Sequence, residues 1–123
     1  MSLFTMGSRI KVYLATETVD MRKSFNGLIE IVNQTLLKNA LSGHLFVFRG
    51  KRSDRVKLLY WDRTGFCIWY KRLEKGQFLF PRIEGQCAVI GMHELSLLLE
   101  GVDLTTKRLS SYSLNQDDSH ESG

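Results

Sequence analysis

Arg55-Val56-Lys57-Leu58-Leu59-Tyr60-Trp61-Asp62-Arg63-Thr64-Gly65-Phe66-Cys67-Ile68-Trp69-Tyr70-Lys71-Arg72-Leu73 is the stretch whose reading decides the fold. Residues 55–61 and 66–73 are rich in β-branched, aromatic and long apolar side chains. Between them stands a short polar segment ending in glycine, the residue that most readily takes a positive φ in a turn. The segment therefore reads as two antiparallel strands joined by a tight turn. Side chains alternate across a strand with period two. Arg55, Lys57, Leu59 and Trp61 share one face of the first strand, with Val56, Leu58 and Tyr60 on the other. In the second, Cys67, Trp69, Lys71 and Leu73 oppose Phe66, Ile68, Tyr70 and Arg72.

Working outward, His44–Arg49 reads as a preceding strand, joined through the polar Gly50–Asp54 connection. Gln77–Phe80 reads as a following strand stopped by Pro81, because proline donates no ladder hydrogen bond. Arg9–Ala15 and Gln86–Ile90 read as two more strands. Asp20–Leu37 carries Met21, Phe25, Leu28, Val32 and Leu36 at helical spacing, with Asp20 as N-cap. His93–Glu100 reads as a short helix closed by Gly101. The expectation is an α+β fold: an antiparallel β-meander of about five or six short strands, one longer N-terminal helix and one short C-terminal helix. One globular domain is expected over residues 9–104. Residues 1–8 read as a flexible leader and 105–123, polar and serine-rich, as a disordered or weakly ordered tail.

The 123-residue chain carries a net charge of +4, unevenly placed. Ten basic and three acidic residues from Arg49 to Arg82 leave that block at +7, while the remainder is at −3. A concentrated positive block attracts polyanions. A register that aligns Arg49, Arg55, Lys57, Trp61, Trp69 and Lys71 on one face would mix cations, which neutralise phosphates, with rings that stack on bases. The opposite face would be apolar and pack on the helices. Lys51, Arg52, Arg63 and Arg72 extend the candidate nucleic-acid surface. Arg22 and Lys23 join it from the first turn expected of the N-terminal helix, where cations oppose the helix dipole but would help seat a phosphate.

Catalytic chemistry is not expected. Metal-dependent strand transfer needs converging acids, whereas Asp20 reads as a cap and Asp54, Asp62 and Glu74 as turn residues. His44, His93 and His120 lack metal spacing, and no nucleophile elbow or phosphate loop occurs. Cys67 and Cys87, alone and twenty residues apart, read as reduced buried thiols. No apolar run is long enough to span a bilayer and the N-terminus has no signal-peptide pattern, so a cytoplasmic protein without a cofactor is expected.

Several motifs in fixed order carry a family resemblance. They are Val12-Tyr13-Leu14-Ala15 with Asp20-Met21-Arg22-Lys23-Ser24-Phe25-Asn26-Gly27-Leu28, then Ser42–Gly50, then Lys57–Asp62 with Gly65-Phe66-Cys67 and Tyr70–Glu74, and finally Leu97–Asp103. Over residues 10–104 the chain resembles the small accessory protein, often called TnpB or the second open reading frame, of insertion-sequence-sixty-six-type elements. That family is unrelated to the RNA-guided nuclease bearing the same label. Ser24 and Asn26 stand where the family more often has glycine and aspartate. The resemblance implies a bacterial mobile element with a separate, larger transposase and a non-catalytic part in DNA transposition. DNA and that transposase are the expected partners. The alternative to direct DNA contact is an adaptor that docks on the transposase.

Overall fold

The computed structural model describes residues 9–106 and the strand at 108–110. Among the described residues seven strands and two α-helices follow in the order β1 (Val12–Ala15), α1 (Phe25–Glu30), β2 (Leu45–Arg49), β3 (Arg55–Trp61), β4 (Phe66–Arg72), β5 (Arg82–Glu84), β6 (Cys87–Ile90), α2 (Met92–Leu99) and β7 (Arg108–Ser110). Helix α1 continues into a π-helical segment, Ile31–Thr35, and a 3₁₀ turn spans Ala40–Ser42.

Five strands form one sheet in the order β4-β3-β2-β1-β6. The meander expected for residues 45–72 is present as β2-β3-β4, each neighbour antiparallel. The expectation of a wholly antiparallel sheet is corrected, because β1 runs parallel to β2 and antiparallel to β6. A strand-helix-strand segment leads back to a parallel neighbour, which a tight turn cannot do. Strands β1 and β6 have every residue buried, as expected of strands covered on both faces.

Both faces of the sheet are covered, so the core is double. On one face Val12, Leu14, Leu45, Val47, Val56, Leu58, Ala88 and Ile90 pack with Leu95, Leu98 and Leu99 of α2 and with Phe78 and Phe80. On the other, Tyr13, Phe46, Phe48, Leu59 and Val89 pack with Leu28, Val32 and Leu36. Full burial of each Val, Leu, Ile or Phe side chain among them contributes roughly 1.5–3 kcal/mol.

The N-terminal helix is shorter than its stripe predicted. It starts at Phe25 with Ser24 at the N-cap position. The Asp20 carboxylate instead accepts from the Arg22 backbone N–H at 2.9 Å, closing a local turn ahead of the helix. Phe25 is 44% exposed, which leaves Leu28, Val32 and Leu36 as the working stripe.

Gln77–Phe80 is not a strand. Phe78 and Phe80 are buried as anchors of an irregular segment, tied by the Phe78 N–H to the Ser53 carbonyl at 2.6 Å. The strand lies beyond Pro81, where β5 pairs in parallel with β7 in a small second sheet. β7 falls within the stretch read as a tail; residues 1–8, 107 and 111–123 lie outside the described residues.

Candidate nucleic-acid interface

The hairpin register decides which cations share a surface. Arg55 opposes Arg72, Lys57 opposes Tyr70, Leu58 opposes Trp69 and Trp61 opposes Phe66. Arg49 opposes Val56. Each connection places an even number of residues between paired positions, so an odd-numbered residue always faces an even-numbered one. The expected single face of Arg49, Arg55, Lys57, Trp61, Trp69 and Lys71 is therefore corrected. Arg55, Lys57 and Trp61 lie on the α1 side, and Arg49, Trp69 and Lys71 on the α2 side.

Three of the expected binding cations are structural. Lys57 is only 7% exposed, and its Nζ donates to the carbonyls of Met21 and Lys23 at 2.7 Å each. It also lies 4.8 Å from the Tyr70 ring centroid. Lys71 donates to the Leu99 carbonyl at 2.8 Å, supplying positive charge at the C-terminus of α2. Arg49 stacks 4.7 Å from the Phe80 ring centroid and donates to the Thr16 carbonyl at 3.3 Å. Burial lowers the Arg49 pKa, with Glu17 opposing that shift. Its Nε is buried without a hydrogen-bond partner among the described residues.

Neither tryptophan is an open platform. Trp69 packs half-buried against the α2-side core. Trp61 meets the Phe66 ring edge-on with centroids 5.0 Å apart. Trp61 and Arg63, an exposed turn residue with φ of 86°, sit at the far end of the hairpin from Arg55. Six residues along a strand put them about 20 Å away.

Arg22 and Lys23 precede α1 rather than form its first turn. The Arg22 guanidinium pairs with the Asp20 carboxylate at 2.6 Å, with side chains 91% and 44% exposed respectively. Side-chain and backbone hydrogen bonds from Arg22 hold the Asp20 carboxyl well below the usual carboxylate range. Lys23 is exposed on the same turn, which Lys57 fastens to the sheet.

What the structure brings together is a smaller cluster at the Arg55 end of the hairpin. A depression of about 320 Å³ is lined by Arg55, Tyr70, Arg72 and Glu74. A second, of about 310 Å³, is lined by Met21, Gly50, Lys51, Arg52, Asp54 and Arg55. Arg55 lines both. A Cβ at Gly50 would lie 2.8 Å from Met21 Cγ, so any larger residue there would push the Met21 side chain aside.

Backbone bonds from Asp62 N–H to the Gly65 carbonyl and from Leu73 N–H to the Asp54 carbonyl bracket the hairpin. Counting by twos from either end makes Arg55–Arg72 a non-hydrogen-bonded pair, the closer kind. Two arginines thus occupy directly opposed positions, and like charges so placed destabilise a sheet. Arg72 is partly offset by Glu74 at 3.1 Å, and Arg55 reaches the Tyr70 hydroxyl at 3.5 Å. Tyr70, 48% exposed between them, is the residue that alternation alone assigned to an apolar face. The even-length turn was the signal that would have placed it beside Arg55.

No group of three or more His, Cys, Asp or Glu side chains converges among the described residues. Cys67 donates to the Asp62 carboxylate at 3.5 Å, and Cys87 is a buried free thiol. No described helix is long and apolar enough to cross a membrane.

The model of the IS66 Orf2 like protein family matches residues 10–109. Two proteins of Sinorhizobium fredii are each 40% identical to this chain. Uncharacterized protein y4jC matches over 78% of the chain and 82% of its own length. Uncharacterized protein y4hO matches over 79% and 84%. No solved structure matches the chain significantly. The motifs, their order and the family match over nearly the whole described domain lead to one conclusion: the chain belongs to the IS66 Orf2-like family, the insertion-sequence-associated accessory proteins.

Proposed function

We propose that this accessory protein acts in DNA transposition by binding DNA, through the cluster formed by Lys51, Arg52, Arg55, Tyr70 and Arg72, with Lys23 on the neighbouring turn. The carrying observation is the opposed Arg55–Arg72 pair. Its like-charge repulsion weakens the hairpin, and a phosphate seated between the guanidinium groups would relieve that repulsion with charge-assisted, fork-shaped hydrogen bonds. The two adjoining depressions give a backbone a path across Arg55, and exposed Tyr70 offers a ring edge or face to an unpaired base. Arg49, Lys57 and Lys71 hold the fold and are not part of this surface. Nothing in the cluster has the converging acids of a metal-dependent nuclease.

The test is residue-resolved. Titrating the labelled protein with element-end DNA, single- and double-stranded, should move the backbone resonances of 51–55, Tyr70 and Arg72 first. Movement confined to Trp61 and Arg63, or none at low salt, contradicts the proposal.

A second reading is favoured by Leu37, just past the first helical segment, and Leu41, in the 3₁₀ turn, which are 78% and 56% exposed. In that reading the protein also docks on the larger transposase of its element. Co-purification from nuclease-treated extract that is lost in the Leu37→Ser, Leu41→Ser variant supports it; co-purification unaffected by that variant, or absent, removes it.

A further inference from the structure

The outer edge of β4 carries an inference independent of DNA binding. Among the described residues no strand pairs with it, whereas the opposite edge strand, β6, is flanked by β5 and β7. The bracketing bonds of the hairpin direct the backbone groups of Cys67, Trp69 and Lys71 inward to β3. Those of Phe66, Ile68, Tyr70 and Arg72 therefore point outward, as a row of unpaired donors and acceptors.

Edge strands are normally protected by shortness, proline, a bulge or a central charge. β4 has seven residues in unbroken register, and Phe66-Cys67-Ile68-Trp69-Tyr70 contains neither proline nor charge. At the turn end Asp62 lies beside Cys67 and next to exposed Arg63; at the other stand Lys71 and Arg72, the latter paired with Glu74. A reversed copy offers this edge a matching row of backbone donors and acceptors along its whole length and sets Asp62 toward the Lys71–Arg72 end.

We infer that the edge of β4 is a self-association surface, pairing antiparallel with β4 of a second copy of this chain to make a continuous ten-stranded sheet. Outward-facing residues must pair with one another, so even-numbered residues oppose even-numbered ones. The register that uses the whole strand puts Trp69 on the two-fold axis. Ile68 then opposes Tyr70 of the second copy, and Phe66 opposes Arg72 of the second copy. Lys71 of the second copy lies opposite Cys67, and thus beside Asp62. A parallel pairing would instead set the basic ends together. The axis stands perpendicular to the sheet, so the two Arg55–Arg72 clusters emerge on the same side.

The experiment combines sedimentation with amide exchange on the full chain without DNA. Wild-type protein should sediment at twice the 14.2 kDa chain mass as concentration rises. Over the same range the amides of Ile68 and Tyr70 should slow to match those of Cys67 and Trp69. Tyr70→Pro removes an outward N–H without touching the bond ladder to β3, and should sediment as a monomer with an unchanged circular dichroism spectrum. A monomer at every concentration overturns the inference. So does a dimer whose Ile68 and Tyr70 amides exchange as fast as in dilute protein, or one that survives Tyr70→Pro in a folded variant. If Tyr70→Pro fails to fold, the wild-type exchange pattern decides.

Discussion

Replacing Lys57 with methionine separates a structural cation from a binding one. The ammonium is 7% exposed and donates to two carbonyls at 2.7 Å, those of Met21 and Lys23. Hydrogen bonds from a charged donor contribute about 1.5–3 kcal/mol each. Methionine keeps most of the apolar stem volume and avoids the cost of burying a charge, which offsets part of the loss. The Lys23 residue is exposed, so its carbonyl regains some water, while the carbonyl of half-buried Met21 regains less. The net destabilisation is about 2–3 kcal/mol. For a domain of this size that lowers the melting temperature by about 10 °C. Thermal and urea unfolding followed by circular dichroism measure it. At temperatures where the variant is folded, the slope of log DNA affinity against log salt should fall by less than one phosphate contact, about 0.9 for a duplex, because Lys57 itself is buried and only Lys23, on the turn it tethers, can shift. A loss below about 1 kcal/mol would refute the reasoning, because the turn at 20–24 would not then depend on this tether.

Three further outcomes follow from individual side chains. Lys71→Met removes the donor to the Leu99 carbonyl and should cost about 1–2 kcal/mol in urea unfolding, with loss of α2 helicity. Leu37 holds a φ of 55° with its side chain 78% exposed, so Leu37→Gly should stabilise by roughly 0.5–1 kcal/mol in the same assay. His44 Nδ1 accepts from the Lys11 backbone N–H at 3.0 Å, and burial, with Lys11 adding to it, lowers the His44 pKa. The unfolded chain thus binds the proton more readily. Stability is fully present above about pH 6.5 and falls as pH drops from there through the lower folded value. His44→Gln should flatten that slope in pH-dependent melting.

The parts legible in the sequence were those set by local patterning. Alternation and the Asp62–Gly65 turn placed β3 and β4 within a residue, and Gly101 marked the end of α2. The parts missed were set by parity and by long-range pairing. Whether Trp69 faces Arg55 or the core depends on the even number of residues in one turn, which composition does not reveal. β1 and β6 are buried runs whose partners lie far along the chain, so nothing local stated that β1 sits between β2 and β6. Asp20 was a sound cap residue that capped a turn, leaving Ser24 to start the helix. Phe78 and Phe80 had the spacing of a strand, but they serve as anchors under a segment hydrogen-bonded to the 50–54 loop. For the candidate site, the charge excess of 49–82 pointed to the β3–β4 hairpin. The fold then divided those cations into three that brace the structure and a cluster that remains open to a ligand.

The most direct test of that division is the salt dependence of binding to element-end DNA, measured for the wild type and for Arg55→Ala/Arg72→Ala. Removing two phosphate contacts should reduce the slope of log affinity against log salt by about 1.8 for a duplex and about 1.4 for a single strand. Melting temperature should hold or rise, since the opposed guanidinium pair is relieved. An unchanged slope in the folded double variant would contradict the account.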